Sequence, residues 1–104
     1  MNWDPEQVLD AADKVLENQI VMLEAVKVFD PESDLLIFLR PTEALKHSIP
    51  TVRGLSLQIR QLFQGGHISL PDATKALANL VGPFIHILED YRDRQQRLAG
   101  KTNS

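Results

Sequence analysis

No glycine or proline interrupts the chain between Pro5 and Pro31, and within that stretch Val8, Leu9, Ala12, Val15, Leu16, Ile20, Met22, Leu23, Val26 and Phe29 recur at helical spacing. Start signals stack in front of it. Asp4 is an N-cap residue, Pro5 suits the first helical position, Gln7 stands where a capping box wants Glu or Gln, and Trp3 is placed to staple onto Val8. The pattern predicts a helix over about residues 5 to 28, on the order of 36 Å long at 1.5 Å per residue. That length matches the diameter of a compact domain of this size, so the helix must run the length of the molecule or protrude from it. From Gln19 to Phe29 only Gln19, Glu24 and Lys27 are polar, so its second half calls for apolar neighbours on most sides.

The remaining elements follow from similar punctuation. Asp30-Pro31-Glu32 repeats the first start and predicts a second helix from about 31, through Leu35 to Leu39, stopping before Pro41. Those five apolar residues also suit a short buried strand, but only Ile37 is β-branched and no second strand is available to pair with it. A short helical turn over about 42 to 48 ends at Pro50, and a third long helix over about 51 to 64 buries Val52, Leu55, Ile59, Leu62 and Phe63 before Gly65-Gly66 caps it in the left-handed manner. Ser69 caps the last helix, over about 70 to 98, with Asp72 at the capping-box position and Pro71 in the first turn. Its apolar stripe, which includes Leu77, Val81, Phe84, Ile87 and Tyr91, keeps phase across Gly82-Pro83, the signature of one kinked helix. The expected fold is an all-α small bundle of four to five helices, with a long first helix and a Pro-kinked last one. Residues 1–99 form its single domain and 100–104 a disordered tail.

With 43% hydrophobic and 24% charged residues among 104, the chain lies in the globular range and can bury one core without staples. It has no cysteine, which excludes disulfides, zinc-thiolate sites and thiol nucleophiles and fits a reducing compartment. No apolar run approaches the roughly 18 to 20 residues that cross a bilayer, and the N-terminus opens acidic, so a cytoplasmic protein without a signal peptide is expected. Charge is divided by position: nine acids face two lysines up to Asp34, a net −7, while the remainder is net +4 and the whole −3. Such a dipolar chain can hold its own halves together, pair with a copy of itself, or offer a basic surface to an anionic partner.

Candidate chemistry is thin. His86 with Glu89, and Glu43 with His47, share helix faces at metal-ligand spacing, but His86 lies on a polar face with Asn79, Glu89 and Asp93, where solvation is expected instead of ligation. Arg40 with His47 and Arg60 with His67 match a loose arginine–histidine spacing that helical ribonucleases use on phosphate, and chance alone supplies such matches at this composition. Catalytic residues, metal ligands, metals and cofactors are therefore all expected to be none, and the chain is read as no enzyme. Arg53, Arg60, Arg92, Arg94 and Arg97 are the candidate anion-binding residues, although Asp90 with Arg94 and Asp93 with Arg97 are placed to form i, i+4 pairs.

The expected function is a non-enzymatic protein–protein interaction or assembly module, an adaptor, chaperone-like partner or regulator, with a homodimer as one form. Val21, Val28, Leu36 and Phe38 lie off the main stripes of their helices and are the candidate interaction residues. The alternative is a nucleic-acid-associated regulator using the basic C-terminal half; a protein partner or self-association is favoured over nucleic acid, and no membrane partner is expected.

Overall fold

Local capping sets where each helix begins. In the computed structural model, which describes residues 4–102, the Asp4 carboxylate accepts the Glu6 backbone N–H at 3.0 Å and opens helix α1, Pro5–Phe29. The expected partner at Gln7 gives way to the donor one residue earlier, and the Trp3 staple lies outside the described residues. After Phe29 the chain does not start a helix at Pro31. Pro31 and Glu32 make a turn, and Ser33 Oγ accepts from the Leu35 N–H at 3.2 Å to begin a five-residue 3-10 helix, Asp34–Phe38. Helix α2, Leu39–His47, then runs through Pro41 instead of stopping before it. The reason is positional: in the first turn a helix lacks acceptors for its N–H groups anyway, so a proline there removes no bond.

Ser48 alone separates α2 from α3, Ile49–Gln64, and itself keeps helical dihedrals (φ −76°, ψ −15°). Pro50 therefore sits inside the start of α3 instead of ahead of it. At the far end the Gly66 N–H bonds to Phe63 O and the His67 N–H to Leu62 O, with Gly66 at φ +77°, so the glycine pair closes α3 by the left-handed cap that its sequence predicts. Ser69 Oγ accepts the Asp72 N–H at 3.2 Å and opens α4, Leu70–Thr102. Pro83 lies inside α4, which stays one helix across Gly82-Pro83 as the unbroken apolar phase requires. The helix also takes in Gly100 to Thr102, residues assigned from sequence to the tail.

Of the described residues 89% are helical and none is in a strand. Three helices, α1, α3 and α4, make the bundle, with α2 and the 3-10 segment as short links, so the expected count of four to five is not matched exactly. Leu9, Ala12 and Leu16 of α1, Ile49 and Val52 of α3, and Val81 and Phe84 of α4 form the continuous core. Helix α3 runs antiparallel to α1, as the ion pairs between them require, and α4 packs on both. A 33-residue α4 is about 50 Å long, and it sets the largest of the molecular dimensions, 54 × 33 × 17 Å. The radius of gyration is 17.0 Å, against about 13 Å for a compact chain of this length. This is a thin, elongated bundle.

Candidate functional site

The charge division of the sequence resolves first. Lys46, Arg53 and Arg60 recur every seven residues along the nearly continuous α2–α3 path, which returns them to one face, and that face lies against the acidic side of α1. Lys46 Nζ stands 3.3 Å from Asp13 and 3.4 Å from Glu17, Arg53 is held between Asp10 and Glu6, and Arg60 reaches Asp4 at 3.0 Å. The order of partners, falling along α1 as it rises along α2 and α3, is what an antiparallel helix pair demands. Asp13 first and then Glu17 raise the Lys46 pKa above its ordinary 10.5, and Asp10 and then Glu6 likewise raise that of Arg53. Opposite charges thus hold the chain's own halves together, and Arg53 and Arg60, two of the candidate anion-binding residues, are engaged by carboxylates.

The other three candidates, Arg92, Arg94 and Arg97, lie on the last third of α4, where every residue from Glu89 to Gly100 is exposed. The expected i, i+4 pairs do not form among the described residues: Asp90 faces His86 Nε2 at 3.6 Å, and Arg97 Nε donates to the backbone oxygen of Asp93 at 3.4 Å. Arg92 and Arg94 make no ion pair there. The five arginines therefore divide between the α1–α3 seam and the end of α4 and do not form one patch.

A second feature occupies the end of the bundle where α1 finishes and α4 loses its cover. Met22 and Leu23 of α1, Leu35 and Phe38 of the 3-10 segment, and Ile87 of α4 line a groove of about 420 Å³, with Gln19, Thr42, Asp90 and Arg94 at its polar margin. Helical geometry explains its wall. A 3-10 helix has three residues per turn, so residues i and i+3 eclipse one another and Leu35 stacks with Phe38 on the groove edge. By the same rule Leu36 and Leu39 share another edge, and both are half-buried, while Ile37 shares the third with Asp34 and is 73% exposed.

Of the four candidate interaction residues, Val21, Val28 and Phe38 are exposed and Leu36 is half-buried. Phe38 lines the groove; Val21, Val28 and Leu36 do not. Met22, Leu35, Ile37 and Phe29 were not among those four, and the last is 88% exposed at the end of α1. The signal that would have found Leu35 is its i, i+3 relation to Phe38, visible once that segment is given a 3-10 period. A more open apolar groove lies on the opposite part of the bundle, where Leu55, Ile59 and Leu62 of α3 meet Ala76 and Leu80 of α4.

His47, His67 and His86 are all exposed, and among the described residues no three His, Asp or Glu side chains come together to hold a metal ion. No helix of the described residues is long and apolar enough to cross a membrane. In comparisons with known proteins, no family model, no curated protein and no solved structure matches this chain.

Proposed function

We propose that the protein is a non-enzymatic protein–protein interaction module that docks its partner on the apolar groove between α1, the 3-10 segment and α4. One observation carries this reading: a groove lined by Met22, Leu23, Leu35, Phe38 and Ile87 stands open, and Val28 and Phe29 of α1 and Ile37 of the 3-10 segment are also exposed. Contiguous exposed apolar surface with a polar rim is the form that interaction sites take, since a chain with no use for it gains by covering it. The groove margin supplies Gln19, Thr42, Asp90 and Arg94 to orient what enters. Affinity capture on immobilised wild type beside Phe38→Glu tests the reading. A protein held by the wild type and lost by the variant supports it; equal retention on both, or crosslinks confined to the α3–α4 groove, overturns it.

A further inference from the structure

We infer that the occupant of this groove is a second copy of the same chain, joined through a two-fold interface; the inference rests on the docking reading above and names its partner. Area is the first argument. The chain exposes 7491 Å², whereas a compact monomer of 11.7 kDa exposes about 5,900 Å². The excess of about 1,600 Å² is about twice the roughly 800 Å² per partner that a stable interface buries, so the chain has surplus surface enough for such an interface.

Self-complementarity is the second argument. A two-fold interface needs one patch to carry both halves of every contact. The groove supplies the hole, and Phe29 and Ile37, 88% and 73% exposed at the same end, supply apolar side chains that stand clear of it. Charge repeats the pattern. Asp30, Glu32 and Asp34 follow α1 with no ion pair, and Arg92 and Arg94 on the α4 arm likewise have none among the described residues. Of the two arginines only Arg94 lies at the margin of this groove, with Asp90, and the acidic turn follows α1, whereas the charges along the α1–α3 seam are matched within the chain. A two-fold rotation that set Arg94 of one copy on the acidic turn of the other would form that contact twice.

Sedimentation equilibrium of the purified full chain tests this directly. A wild-type dimer with a dissociation constant at or below about 10 μM is expected, weakened at least about 30-fold by Phe38→Glu and unchanged by Leu62→Glu in the opposite groove, each variant first shown to be helical by circular dichroism. Because exposed-site variants can still perturb folding, a charge exchange supplies an independent arm. The Arg94→Glu chain and the Asp30→Lys, Asp34→Lys chain should each dimerise poorly alone and pair with each other on mixing. A wild type that stays monomeric at several hundred micromolar overturns the second-copy inference, as does dissociation by Leu62→Glu but not Phe38→Glu, or mixed charge variants that gain nothing over either alone. A monomer that still captures another protein in a Phe38-dependent way refutes the inference and leaves the docking reading standing, so the two failures are distinguishable.

Discussion

Ser56 is the one buried polar side chain of the described core, fully inaccessible in α3 with its hydroxyl unpartnered. A buried hydroxyl without a hydrogen bond costs about 1 to 3 kcal/mol, so Ser56→Ala, which keeps the volume and removes the oxygen, should stabilise the fold by about 1 kcal/mol in urea denaturation. Arg53→Ala acts in the opposite sense. It removes two partly exposed ion pairs and should lower stability by about 1 kcal/mol, with the deficit shrinking in high salt. Lys46 gives the seam a pH signature. Its folded pKa is raised above 10.5 by Asp13 and Glu17, so its contribution is fully present below that value and is lost as pH rises through the higher folded value. As pH rises above about 10.5 the wild type should therefore lose more of its urea midpoint than Lys46→Met does. None of these ion pairs was legible as a pair in the sequence. Arg53 lies 43 residues from Asp10, and only the register of two antiparallel helices decides which carboxylates meet which base. What the sequence did carry was the division of charge and the seven-residue spacing of the bases. The N-caps at Asp4 and Ser69, by contrast, were legible because donor and acceptor are two and three residues apart and need no tertiary context.

Among elements, α4 shows both what periodicity reveals and what it hides. Its continuity across Gly82-Pro83 follows from phase, because a break would let the apolar stripe resume anywhere. Pro83 is exposed, so Pro83→Ala should leave the core untouched while restoring an N–H to the helix. A gain of about 1 to 3 kcal/mol and a higher thermal midpoint by circular dichroism are expected. Burial is confined to the first half, at Ala73, Leu77, Val81 and Phe84. Amide exchange should accordingly be faster from Glu89 onward than over residues 73 to 88, measured on dilute protein. The Leu35 to Leu39 segment was misread because five residues do not separate a period of 3.0 from one of 3.6. Tight 3-10 bonding from Ser33 and the tolerance of a first helical turn for Pro41 then moved the boundary that a proline usually marks.

At the scale of the whole molecule, a long axis of 54 Å and a thickness of 17 Å leave few interior positions, and the described core rests on about a dozen side chains. The all-helical class was legible because every long segment carried its own period and caps. The open end was legible only as a surplus: the second half of α1 asked for neighbours on most sides, and the chain itself covers Leu23 but leaves Val21, Met22, Val28 and Phe29 exposed. The layout also separates two kinds of constraint. Charges that lock α1 to α3 concentrate between Asp4 and Glu17 on one side of the seam, while the groove draws on α1 from Gln19 onward, the 3-10 segment and the far half of α4. Substitutions at distant sites with no shared contacts add without interference. Substitutions at Phe29, Ile37 or Arg94 should thus leave intact the bundle that Arg53, Leu9 and Val81 specify. On the docking reading proposed above, what the groove binds is free to drift quickly while the architecture drifts slowly, a division of evolutionary tempo set by where the charges and the apolar side chains are kept.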